Sequence, residues 1–83
     1  AAPGAWMTLP SLPVARILGR LGFAWVAVDA EHSHGDLSTL AATVGAIVDA
    51  GVSAPLVRLP ANSVEWFKWA LDAGAWGVIV PMV

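Results

Sequence analysis

The sequence contains no cysteine, which removes disulfide frameworks and thiolate chemistry and fits a cytoplasmic protein. Cations are scarce: Arg16, Arg20, Arg58 and Lys68 are the full set of Arg and Lys. Four of them against six acidic residues, a net charge of −2, leave no basic patch for nucleic acid. The single lysine also narrows the chemistry, because an imine-forming aldolase needs a lysine in the mouth of its site. Lys68 instead falls mid-helix between Trp66 and Trp69, an outer-layer position. Long apolar runs are missing too, since Arg16, Arg20, Asp29, Arg58 and Lys68 interrupt each stretch before the ~18 residues that a membrane helix requires. The opening AAPGAWMTLPSLPVAR lacks a basic start followed by an apolar stretch and a cleavage site, so no secretory leader is expected. The expected partners are small molecules, with no nucleic acid and no membrane.

What the chain does have is apolar residues in excess. They make up 58% of 83 residues, against roughly 45–50% in an average soluble domain with glycine counted. A chain this short buries only a modest core by itself, so the excess implies elements covered on both faces. Against that background, residues 29–36 (DAEHSHGD) gather three of the six acidic residues and both histidines.

Local signals alternate along the chain. Residues 4–9 (GAWMTL) form a short apolar run closed by Pro10, which predicts a strand. In SLPVARILGRLG, Val14, Ile17, Leu18 and Leu21 recur at helical spacing, with Ser11 as N-cap, Pro13 in the first turn and Gly22 past the end. Residues 23–29 (FAWVAVD) are aromatic and β-branched with little alternation, the pattern of a strand buried on both sides. Asp36 is placed to cap a second helix, whose stripe of Leu37, Leu40, Ala41, Val44, Ile47 and Val48 stops at Gly51. Residues 55–59 (PLVRL) predict a third strand. Asn62 with Glu65 three positions on has the form of a capping box, opening a helix through Asp72 that ends at Gly74. Residues 76–81 (WGVIVP) predict a fourth strand.

The order β-α-β-α-β-α-β implies parallel strands joined by right-handed crossovers. A complete barrel takes roughly 250 residues, and the last predicted strand is of the buried type with no helix to cover it. Residues 1–83 are therefore expected to be the N-terminal half of a (β/α)8 TIM barrel, the first four strands of one α/β domain whose remainder lies beyond them.

In such folds chemistry collects at the C-terminal ends of the strands. Asp29 closes the second strand, Glu31, His32 and His34 follow it, Arg58 lies near the end of the third, and Trp6 lies on the first. An arginine in an apolar strand carries a large desolvation cost unless an anion meets it. For Arg58 that anion is either a structural partner, Asp29 or Glu31, or a substrate carboxylate or developing enolate oxygen. Asp29 is near enough to His32 in sequence to orient its imidazole as a general base. A metal reading stays open beside it, because Asp, Glu and two His on one loop are only weakly specific. Asp36 reads as a helix cap, Glu31 reads equally as a solvated loop residue, and His34 reads more readily as one.

GAW in strand one, GFAWVAVDAEH, PLVRLP followed by Asn62, and LDAGAWGVIVPMV resemble, in that order and spacing, the HpcH/HpaI family of class II pyruvate aldolases. The resemblance runs over nearly the whole chain, and the pairing of DAEH with LDAG and GVIVPMV is its specific part. It implies a (β/α)8 barrel assembled into hexamers that reversibly joins pyruvate to an aldehyde with a divalent metal, Mg2+, Mn2+ or Co2+. By motif match it implies His32 as the catalytic histidine, Asp29 as its partner, Arg58 as the arginine on the pyruvate carbonyl oxygen, and Trp6 as a tryptophan near the substrate. It places the metal ligands, a Glu and an Asp, on later strands and none in this segment, which alone is expected to be inactive. His34 inherits no role.

Two alternatives accompany that expectation. One is a related enolate-forming enzyme on the same barrel, acting on an acyl thioester or decarboxylating oxaloacetate. The other is an inactive truncated barrel. Trp66 and Trp69, three positions apart, share a helix face and predict either a widened core stripe or, preferentially, a subunit interface.

Overall fold

A computed structural model describes residues 3–8, 11–31 and 36–80. The elements alternate as the hydrophobic pattern requires: β1 (Gly4–Met7), α1 (Leu12–Arg20), β2 (Trp25–Asp29), α2 (Leu37–Ala50), β3 (Ala54–Arg58), α3 (Val64–Asp72) and β4 (Gly77–Ile79). The strands form one parallel sheet in the order β1-β2-β3-β4. Each strand lies beside its sequence neighbour, so the sheet lacks the reversal of strand order that marks a doubly wound fold. Sequential order is that of a barrel wall.

Capping chemistry sets the helix boundaries. The Ser11 hydroxyl accepts from the Val14 N–H at the start of α1. The Asp36 carboxylate accepts from the Thr39 N–H at 2.7 Å at the start of α2. That bond holds the Asp36 carboxyl below its ordinary pKa. Helix α2 ends on Gly51, whose φ of 72° is the left-handed conformation that glycine adopts without a Cβ penalty. The third helix departs from expectation. Ser63, not Asn62, is its N-cap, with extended backbone and a hydroxyl that accepts from the Trp66 N–H. With the cap moved by one, a capping box would need its Glu at position 66, and that position is Trp66.

Because paired residues of neighbouring parallel strands share a face, the register sorts the sheet into two sides. Val26, Val28, Val57 and Met7 point into a core completed by Leu40, Val44 and Ile47 of α2. Each such side chain contributes roughly 1.5–3 kcal/mol when fully buried. Trp6, Trp25, Ala27, Asp29, Leu56 and Arg58 occupy the opposite side. There the Trp25 indole lies over Gly4, where a Cβ would overlap the ring, and its edge meets Trp6 with centroids 6.5 Å apart. Residues 26–29 of β2 are all buried, as its unalternating sequence predicts.

Trp66 and Trp69 are half-buried, packed edge-to-face with centroids 5.5 Å apart, and lie against the core. Both therefore contribute to the widened core stripe within this chain.

Candidate active site

The C-terminal rim of the sheet brings Asp29 and Arg58 together, because both end their strands and pair in register. The Ala30 N–H donates to the Arg58 carbonyl at 2.9 Å and extends the ladder one step beyond the strands. Asp29 is 1% exposed, and a carboxylate this buried needs donors. Oδ2 accepts from the Trp6 indole Nε1–H at 3.1 Å, and Oδ1 accepts from the Glu31 backbone N–H at 2.9 Å.

Arg58 meets two carboxylates. Its Nη2 lies 2.8 Å from Glu31 Oε1, while Nη1 lies 3.5 Å from Asp29 Oδ2. The first distance is that of a charge-assisted hydrogen bond, and the second is at the outer limit of one. Glu31 is thus the stronger hold on the guanidinium. The Trp6 ring closes a third side, with Arg58 Cζ 5.7 Å from its centroid. Arg58 lies on the side of the sheet opposite the core, with its side chain 30% exposed.

Three of the four residues expected at the site, Trp6, Asp29 and Arg58, therefore stand together at one rim. His32 and His34 lie outside the described residues. One relationship escaped the sequence reading. The Trp6–Asp29 hydrogen bond joins residues 23 apart, and it depends on inter-strand register that no local pattern encodes. Glu31, one of the two structural partners anticipated for Arg58, is half-buried against it rather than a solvated loop residue.

Among the described residues no three His, Cys, Asp or Glu side chains cluster as a metal shell. Asp29 and Glu31 both face the Arg58 guanidinium, so a fixed cation stands where a divalent ion shared by the two would need to be. This pair of carboxylates does not fit a metal.

Comparison with known proteins agrees with the fold. A family model described as HpcH/HpaI aldolase/citrate lyase matches residues 3–83. A 5-keto-4-deoxy-D-glucarate aldolase of Salmonella paratyphi A is 38% identical over 80 residues, covering 96% of this chain and 31% of that protein. A hydroxypyruvate/pyruvate aldolase of Roseobacter denitrificans is 36% identical with the same coverage of each. The crystal structure of an HpcH/HpaI aldolase/citrate lyase family protein from Burkholderia cenocepacia J2315 superposes with a TM-score of 0.89 at 36% identity, over 99% of this chain and 32% of that one. The chain thus spans about a third (31%) of the length of the curated relatives it matches.

Proposed function

The chain belongs to the HpcH/HpaI aldolase/citrate lyase family, and from that premise we propose that it forms the enolate-stabilising rim of a carbon–carbon lyase. In this reading residues 1–83 are the first four strands of a barrel domain that continues beyond them. The complete protein cleaves a 4-hydroxy-2-oxo acid to pyruvate and an aldehyde, and runs the reverse addition. The observation that carries the reading is Arg58, a partly exposed strand-end arginine whose guanidinium is held in place by Glu31, Asp29 and the Trp6 ring.

The roles follow from the chemistry of the bond that breaks. Cleavage removes the proton of the 4-hydroxyl, breaks C3–C4 and sends the electron pair into the C2 carbonyl, leaving an enolate oxygen. Arg58 faces that oxygen, and one preorganised donor at such a site typically lowers the barrier by roughly 3–4 kcal/mol. His32 accepts the hydroxyl proton, and Asp29 orients its imidazole. Trp6 supplies the apolar wall beside the substrate while its N–H holds Asp29. A divalent ion, Mg2+, Mn2+ or Co2+, belongs to side chains beyond this segment, and when bound it supplies Lewis-acid polarisation of the keto acid. A cytoplasmic homo-oligomer, hexameric as the resemblance implies, completes the proposal. Among the described residues no helix is long and apolar enough to cross a membrane.

A second reading, an enolate-forming lyase acting on an acyl thioester, is favoured by one observation: the matching family model is described as covering citrate lyase as well as aldolase. The test is exchange of the pyruvate methyl protons in D2O, followed by NMR on the full-length protein with each metal and with a chelator. Metal-dependent exchange that collapses in His32→Ala and Arg58→Ala supports the pyruvate enolate. A folded protein that exchanges nothing with any metal refutes it in favour of the thioester reading.

A further inference from the structure

Glu31 has no role in the proposed cleavage, yet it lies 2.8 Å from the Arg58 guanidinium, closer than Asp29 does. We propose that Glu31 is a positioning residue that sets the plane of the Arg58 guanidinium; this rests on the enolate reading above. A guanidinium at the end of a flexible stem needs at least two fixed points before its remaining N–H groups point in a defined direction. Asp29 provides the weaker point, 3.5 Å from Nη1. Glu31 provides the stronger, 2.8 Å from Nη2. Glu31 is itself anchored, because its backbone N–H donates to Asp29 Oδ1 at 2.9 Å. The carboxylate that ends β2 therefore holds the residue that orients the arginine ending β3.

This closes a three-sided frame. The guanidinium edge is taken by Asp29 and Glu31, and one face by the Trp6 ring at 5.7 Å. The N–H groups left over lie in the plane those contacts define. Partial burial strengthens the hold: the side chains of Arg58 and Glu31 are 30% and 23% exposed, so their attraction is less screened than that of a surface pair. Without Glu31, the long Asp29 contact and the ring remain, and neither fixes rotation about the last torsions of the side chain.

The test compares Glu31→Ala with Glu31→Gln in the full-length protein, using methyl-proton exchange of pyruvate. Glu31→Ala is expected to lower the exchange kcat about 10- to 100-fold, the scale of a misplaced catalytic group. KM should change less, because an oriented donor acts mainly on charge that develops in the transition state. Glu31→Gln keeps the length and an acceptor oxygen, so it should recover most of the loss, with a remaining deficit because a neutral acceptor holds roughly half as strongly. A second readout is independent of turnover. The Nη protons of Arg58 should give separate, slowly exchanging NMR resonances in the wild type and in Glu31→Gln, and merge in Glu31→Ala. Should Glu31→Ala fail to fold, Glu31→Asp, one methylene too short to reach, carries the same comparison.

The outcomes separate the two claims. A wild type that exchanges no pyruvate with any metal overturns the enolate reading, and the positioning role with it. An active wild type whose rate is unchanged in Glu31→Ala overturns the positioning role alone. So does a Glu31→Ala defect with Arg58 resonances unaltered, or one that Glu31→Gln fails to relieve.

Discussion

The indole N–H of Trp6 donates to Oδ2 of Asp29 across 3.1 Å, so the first strand fixes the buried carboxylate that ends the second. Arg58 ends the third strand against the same carboxylate oxygen and over the face of the same indole. Three adjacent strands thereby contribute one side chain each to a single charged cluster.

Trp6→Phe isolates the hydrogen bond from the ring. Phenylalanine keeps an aromatic face under Arg58 and a neighbour for Trp25, but leaves Asp29 one donor short. Hydrogen bonds to charged groups contribute roughly 1.5–3 kcal/mol, so the urea midpoint of the variant should fall correspondingly. Pyruvate exchange should fall with it, measured side by side under the same metal concentration.

Asp29→Asn separates charge from shape. The amide oxygen still accepts from Trp6 or from the Glu31 N–H, so circular dichroism should report an intact fold. In the proposed role of Asp29, orienting the general base, loss of the carboxylate should reduce exchange by about 10²-fold or more. Asp29→Ala is harsher, because it also leaves a cavity and unpaired donors; breaking a buried charged pair costs roughly 3–5 kcal/mol. An Asn variant with wild-type exchange would remove Asp29 from the chemistry.

Gly4→Ala tests the packing on the open side of the sheet. A Cβ at residue 4 overlaps the Trp25 indole, which in turn meets Trp6. Overpacking of this kind typically costs roughly 1–3 kcal/mol. The expected result is a lower urea midpoint together with a changed tryptophan near-UV spectrum, since the displaced ring disturbs its neighbour.

The Asp36 cap makes stability depend on pH in one direction. Its carboxyl is held below the ordinary value by the Thr39 N–H. A depressed folded-state pKa means the capping contribution is complete above the unfolded-state pKa and disappears as pH falls through the folded-state value. Asp36→Asn caps without titrating, so acid denaturation of the wild type should include a component that the variant lacks. Parallel acid titrations of unfolding midpoint, wild type against Asp36→Asn, will show whether the curves converge towards low pH.

Much of the architecture was legible because its signals are local. Ser11, Asp36 and Gly51 mark helix ends through contacts within one turn, and each stands where expected. The unalternating apolar run before Asp29 announced a strand covered on both sides, and residues 26–29 are buried. Where two local signals competed, the neighbouring context decided. Asn62 and Ser63 are both good caps, and the backbone at Ser63 takes the extended conformation that lets its hydroxyl reach Trp66.

Local patterns along the chain set the order of elements, the strand ends on which Asp29 and Arg58 fall, and the family to which those motifs point. Which of these residues meet follows from strand pairing. Trp6 reaches Asp29 because parallel register sets β1 beside β2 with Trp6 and Asp29 on one face. Glu31 turns to Arg58 because the end of β3 lies beside the turn that Asp29 holds. Trp66 and Trp69 lie against the core because of where α3 comes to rest. Helix caps and strand patterns are short-range and survive in one dimension, whereas these contacts depend on strand pairing, which exists only once the sheet has formed.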